Sequence, residues 1–136
     1  MEPNLEVNKA LVRRYYELAT STVTGFEEVV ADHFVDHHFP PSLPPGPEGV
    51  RQFFTSVLGS VFSNMKIEFS QLVAEGDTVI CEFCLRANHT AEFAGIPAKG
   101  NEILCPAYSK FRVENGKLVE AWELADIAGL LEQMKK

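Results

Sequence analysis

The sequence predicts a single α+β domain over residues 1–136, with N-terminal helices packed on a curved, antiparallel-rich sheet and a short helix at the C-terminus. Three observations predict it. Apolar residues recur at helical spacing through the first half of the chain. From Lys66 onward the period changes to two. The length suits one domain, which can bury a core without a disulfide or metal staple.

The first helix is expected from about Leu5 to Thr20, where Leu5, Leu11, Val12, Tyr15, Leu18 and Ala19 share a face opposite Arg13, Arg14 and Glu17. A short second helix is expected from Gly25 to His33. Phe39 to Pro47 is proline-rich and reads as a stiff connection. A third helix starts after Pro47 and carries Val50, Phe53, Phe54, Val57, Leu58, Val61 and Phe62, a stripe wide enough for deep packing.

In the sheet, Ile67, Phe69 and Gln71 alternate with Lys66, Glu68 and Ser70. After a turn at Gly76-Asp77, Val79, Cys81, Phe83, Leu85, Ala87 and His89 form one face of the next strand. Ile103, Cys105, Ala107, Ser109, Phe111 and Val113 form one face of another. Pro106 lacks an N–H, so a bulge or one-sided pairing is expected there. Asn115-Gly116 turns the chain into a strand from Leu118 to Ala125. Asp126 is placed to cap a last helix, Ile127 to Met134. A curved sheet wrapped on helices leaves a hollow at its open end.

The net charge of −7 repels phosphate backbones and anionic lipid, so neither nucleic acid nor membrane is an expected partner. The first residues are polar and lack a signal-peptide stretch. Three cysteines without framework spacing point to a reducing compartment, so a cytoplasmic location is expected. Cys81 and Cys84 have C-x-x-C spacing, but on a strand they face opposite ways and cannot share a metal. His33 and His37 have the spacing of two helical ligands with no third in view, so no metal is expected. No phosphate-cradling glycine loop, dinucleotide fingerprint or serine nucleophile elbow is present, and no cofactor is expected.

Two segments carry a family resemblance. His89-Thr90-Ala91-Glu92-Phe93-Ala94-Gly95-Ile96-Pro97-Ala98-Lys99-Gly100 resembles the H-T-G-x-F-x-G-I-P-P-T-G segment of SnoaL-like polyketide cyclases. Phe111 to Trp122 resembles their F-R-x-x-D-G-K-I-x-E-x-W hairpin. Gly46 to Val50 and Asp36-His37 match weaker family signals. The resemblance implies a nuclear-transport-factor-2-like cone, often a homodimer, and a cofactor-free cyclase acting by intramolecular aldol condensation. It also implies an acid/base at the position held here by Glu123, an aspartate in the cyclases. Their neighbouring histidine and glutamine fall on Ser109 and Ala107, neither of which shuttles protons near neutral pH.

Which way Glu123 points depends on the hairpin. A two-residue Asn115-Gly116 loop pairs Ser109 with Trp122 and sends Glu123 outward. A three-residue loop with a glycine bulge pairs Val113 with Lys117, Ser109 with Ala121 and Ala107 with Glu123. The second is preferred because it sets Lys110 and Arg112 beside Glu120. The inner face then reads Ala107, Ser109, Ala121 and Glu123, small side chains around one carboxyl. Desolvation there would raise its pKa and suit acid/base work; the alternative is a solvated surface glutamate.

Asp36 and His37 are candidates to orient substrate or relay a proton, while His38 reads as a solvated imidazole. His89 either lines the hollow or bonds backbone at its strand end. Tyr16 is a core aromatic whose hydroxyl is available to the hollow, and Phe54 and Phe62 are core residues of the helices. Trp122 is expected outward across from Tyr108, and with Leu104 they mark a homodimer face. Three functions remain in play: a cyclase or isomerase of a small, largely apolar carbonyl compound, a non-catalytic binding or assembly module, and a hydrolase or hydroxylase.

Overall fold

The computed structural model describes residues 4–136, so residues 1–3 of the polar N-terminal stretch lie outside it. Helix α1, Leu5–Ala19, starts where the Asn4 side chain accepts from the Val7 N–H. Val12, Tyr15, Tyr16, Leu18 and Ala19 face the sheet. The strands are β1 (Val30–Asp36), β2 (Phe62–Glu75), β3 (Thr78–His89), β4 (Glu102–Glu114) and β5 (Lys117–Ala125), in the order β1-β5-β4-β3-β2. β1 runs parallel to β5 and the other neighbours are antiparallel. The sheet is mixed and open, and its inner face packs on α1, on α2 (Gly46–Gln52) and on α3 (Ile127–Lys135). This is the α+β cone the sequence predicts.

Four local expectations are corrected. The second helix is a single turn, Phe26–Glu28, followed by β1. Val30 and Phe34 are both buried, a four-residue spacing that a strand face shares with a helix face, while Asp32 between them is exposed where the register of β1 shifts. An irregular strand thus imitates a helix, and the His33–His37 spacing loses its helical meaning. The third helix ends early. Leu58 and Gly59 donate to the Phe53 and Phe54 carbonyls, which makes Phe53–Val57 a π turn, and Phe62 opens β2 opposite His89. A Cβ on Gly59 would lie 2.5 Å from the Thr55 carbonyl oxygen, so this exit needs glycine. In β2 a register shift between Phe69 and Gln71 turns Leu72 inward in place of Gln71.

The fourth correction concerns the hairpin. Its loop has two residues, Asn115 and Gly116, both at positive φ (51° and 74°), and Glu114 pairs with Lys117. The extra residue sits in β5 instead. Val113 pairs with Leu118 and Arg112 with Glu120, so Val119 is a bulge. Beyond it Phe111 opposes Ala121, Ser109 opposes Glu123 and Ala107 opposes Ala125. The expected pairings are two residues off, yet the parity is the same, so Glu123 faces inward. Trp122 faces outward opposite Lys110, whose ammonium lies 4.4 Å from the indole centroid, while Tyr108 opposes Leu124.

Pro106 pairs with Cys84 on the β3 side, and its carbonyl accepts from Asp126 on the other. Its missing N–H falls where β5 has ended, so no ladder bond is lost. Cys81 is buried and Cys84 half-buried on the other face, and all three cysteines are free. Among the described residues no helix is long and apolar enough to cross a membrane.

Asp126 caps α3, its Oδ1 accepting from the Gly129 N–H at 3.0 Å. Asp126→Ala is expected to lower stability by about 1 kcal/mol in urea unfolding, with Asn restoring most of it. Equal midpoints for wild type and the Ala variant would remove the cap from the account.

Candidate active site

The inner face of the sheet changes character along its length. Phe111, Val113 and Leu118 fill the core near the hairpin. Toward the other end β4 and β5 present Cys105, Ala107 and Ala125, which leave the space that larger side chains would fill. The result is a cavity of about 90 Å³. Tyr15, Tyr16, Phe53, Phe54, Phe83 and Leu85 form much of its apolar wall, with Ile127 and Leu130 of α3 at one side.

Two carboxyls and an imidazole interrupt that wall. Glu123 enters from β5 and is 20% exposed. Asp36 ends β1, which runs beside β5 with Asp36 opposite Ala121. His38 follows in a tight turn, its backbone N–H donating to Asp36 Oδ1 at 2.8 Å. His38 Nδ1 lies 3.6 Å from Glu123 Oε2. Burial pushes the Glu123 carboxyl up to about 7, and the nearby Asp36 charge adds to the rise. Burial raises Asp36 too, opposed by the His38 N–H and the charges of His38 and His37.

Behind the wall runs a buried hydroxyl chain. Ser109 Oγ shares hydrogen bonds with Tyr16 Oη at 3.0 Å and Cys81 Sγ at 2.7 Å. Burial first, then the Glu123 charge, holds the Tyr16 phenol well above its ordinary value, so it stays a neutral donor. Burial likewise raises the Cys81 and Cys105 thiols to about 11, so neither is an activated thiolate.

The residues singled out in the sequence fall into three groups. Glu123, Asp36, Tyr16 and Ala107 line the cavity. Ser109 reaches it only through Tyr16, and Ala121 is core opposite Phe111. His37 and His89 lie elsewhere. His37 is on the outer face, where its Nε2 meets Glu120 Oε2 at 2.7 Å and its ring stacks on Trp122 at 5.1 Å. His89 is fully buried beside Phe62, ring centroids 6.2 Å apart, and neither ring nitrogen has a protein partner. It therefore neither lines the cavity nor bonds the backbone at its strand end. The sequence reading missed His38. His38 sits in the turn after β1, tied by Asp36, so strand alternation gave no signal for it. Among the described residues no group of three or more His, Cys, Asp or Glu converges as a metal site would require.

Residues 9–134 match the sequence family of SnoaL-like polyketide cyclases. The chain belongs to that family. No curated protein matches it significantly in sequence. Among solved structures it is similar to TsrD from Streptomyces laurentii, with a TM-score of 0.85, 19% identity and 98% of each chain covered. IdmH, a candidate polyketide cyclase from Streptomyces antibioticus, gives 0.76 at 26% identity, covering 95% of this chain and 99% of its own. AclR, a candidate hydroxylase from Streptomyces galilaeus, gives 0.79 at 20% identity over 96% and 97%. Ser109 and Ala107 of β4 bring no imidazole to the carboxyl, and the one next to Glu123, His38, comes from the β1 end.

The raised carboxyl has a consequence for stability. Below about pH 4.5, the ordinary value, both folded and unfolded chains hold the proton and Glu123 has no effect. Between there and about 7 the unfolded chain releases it while the native state keeps it. Stability therefore falls as pH rises, by on the order of 3 kcal/mol, and the loss is complete above about pH 7. Glu123→Gln is expected to be more stable than wild type in urea at about pH 8 and equal to it near pH 4. Parallel pH profiles for the two proteins would mean that the carboxyl is not desolvated.

Proposed function

We propose that the protein transfers a proton at the carbon beside a carbonyl in a small, largely apolar compound, as an isomerase or a cyclase, with its own side chains as acid and base. The observation that carries this reading is the Glu123 carboxyl, held in an apolar cavity with its value pushed up to about 7. A base poised there is half ionised at neutral pH and strong enough to remove an activated proton.

Glu123 takes the α-proton, and the electron pair of the C–H bond moves onto the carbonyl oxygen. The Tyr16 hydroxyl, buried and neutral, is the donor best placed on the wall to stabilise that oxygen, and Ser109 orients it. The proton then returns to another carbon, which completes an isomerisation. Alternatively the enolate carbon attacks a second carbonyl of the same molecule, whose oxygen takes up the proton, which completes a ring closure. Asp36 and His38 supply the second proton-exchange position. Membership of the SnoaL-like family and the likeness to IdmH support a ring-closing reaction over other uses of the fold.

The test is deuterium uptake beside the carbonyl of small cyclic ketones such as cyclopentanone in D2O, followed by NMR. Wild type is expected to speed exchange, with kcat/KM rising as pH passes through about 7 because the ionised carboxylate is the base. Glu123→Gln should lower it by about 10²–10⁴ and Tyr16→Phe by about 10²–10³. Full exchange by Glu123→Gln would reject Glu123 as the base. Saturable ketone binding without any exchange would favour the non-catalytic binding module.

We also propose that the outer sheet face joins two copies of the chain. Ile80, Leu104, Tyr108 and Leu124 remain exposed there, Leu124 at 81%, around the half-buried Trp122. Sedimentation velocity at micromolar concentration is expected to give a dimer, and Leu124→Glu a monomer of unchanged secondary structure. A wild-type monomer would leave that face without this role.

A further inference from the structure

The cavity around Glu123 is small for a ligand site. At about 90 Å³ it falls well below the roughly 300–1,000 Å³ of ordinary ligand pockets. A second hollow of about 260 Å³ lies under the proline-rich segment, lined by Phe34, Val35 and the run from Phe39 to Gly46. Two residues, Asp36 and Phe39, line both spaces. Asp36 belongs to the carboxyl pair. Phe39 is the apolar side chain that the two volumes share.

Phe39 is held there by one aromatic contact. Its ring stacks on Phe53 with centroids 4.2 Å apart and planes 16° apart. Phe53 is anchored on other sides, edge-on to Phe54 at 5.2 Å and to His38 at 6.1 Å, and is 7% exposed. Phe39 is only half-buried, and among the described residues Phe53 is its sole aromatic neighbour. The backbone under Phe39 is fixed, because its N–H donates to the Asp36 carbonyl at 3.1 Å. Beyond it Pro40, Pro41, Pro44 and Pro45 hold φ and keep the outer wall in place. The movable part is therefore a side chain, which swings between staggered rotamers while the loop stays still.

Resting on the acid/base reading of Glu123, we propose that Phe39 is the gate and size-determining residue of the site: its ring, lifted from Phe53, joins the cavity to the hollow under the proline-rich segment. The joined space reaches the lower end of the ligand range, and it brings Asp36, His38 and Glu123 to one wall of a continuous slot. The substrate class this fits is a neutral, flat compound of about two rings. Its carbonyl end lies inside against Glu123 and Tyr16, and its apolar end lies under the prolines.

The test reads binding alone, so it stays separate from the fate of Glu123 as a base. N-phenyl-1-naphthylamine, neutral and bicyclic, is titrated by fluorescence against wild type, Phe39→Leu and Phe39→Ala. Affinity is expected to rise in that order, at least ten-fold from wild type to the Ala variant. Bound probe should also slow methyl methanethiosulfonate labelling of Cys105, a cavity-wall residue, as read by peptide mass. The Leu variant keeps an apolar side chain at the stack and serves if the Ala variant does not fold. Equal affinity across the folded variants, or tighter binding that leaves Cys105 labelling unchanged, would overturn the gate. The same binding in a Glu123→Gln background would uphold the gate whether or not Glu123 proves to be the base.

Discussion

Side chains along β5 alternate between core and solvent, so one extra residue exchanges the faces of everything after it. Val119 is that residue. Without the bulge, the two-residue turn at Asn115-Gly116 would point Trp122 into the sheet's inner face and Glu123 into water. With it, the indole lies outside under Lys110 and the carboxyl lies inside opposite Ser109. The site depends on this parity more than on any single hydrogen bond. A bulge next to a functional residue is a common way to re-aim one side chain while the rest of the ladder is kept.

Parity alone would bury a carboxyl without purpose. What gives Glu123 its value near 7 is the company that the parallel strand brings. β1 ends beside the middle of β5, and its last residue, Asp36, sets a second carboxyl close enough to oppose ionisation of the first. The turn that follows is tied by Asp36 itself and carries His38 back toward Glu123. Desolvation and like charge act in the same direction on Glu123. On Asp36 the His38 N–H works against them. The two carboxyls therefore sit in unlike environments, the arrangement that separates an acid from a base in one site.

The sequence carried the inner and outer faces of β3 and β4 in full, because strict alternation there meets no irregularity. It also carried α1, the cap at Asp126 and the direction of Glu123. The parts it hid are the irregular ones. β1 read as a helix because residues four apart share a face in a strand as in a helix, and Asp32, between the buried Val30 and Phe34, is exposed. The third helix ran too far because a π turn widens the apolar stripe just before the chain turns into β2. The hairpin pairing was missed because an extra residue in the loop and an extra residue in the strand have the same effect on parity. His37 looked like the active histidine because it stands beside Asp36. The chain turns directly after Asp36, and that turn carries His38, not His37, to the cavity.

Several local costs meet at one place. Two desolvated carboxyls, a π turn and a pair of alanines where a core would take bulk all surround the same small cavity. Each lowers stability, and together they leave room and charge where folding alone would leave neither. His89 is the useful contrast. It is completely buried with both nitrogens unpartnered, a larger local violation than any single group at the cavity. Yet its own side chain does not line the cavity; the Phe62 ring beside it, at 6.2 Å between centroids, forms the wall there. An isolated violation does not make a site. What marks the Glu123 cavity is that space, a shifted acid, a neutral phenol and a stacked pair of aromatic rings, Phe39 on Phe53, occur within reach of one another.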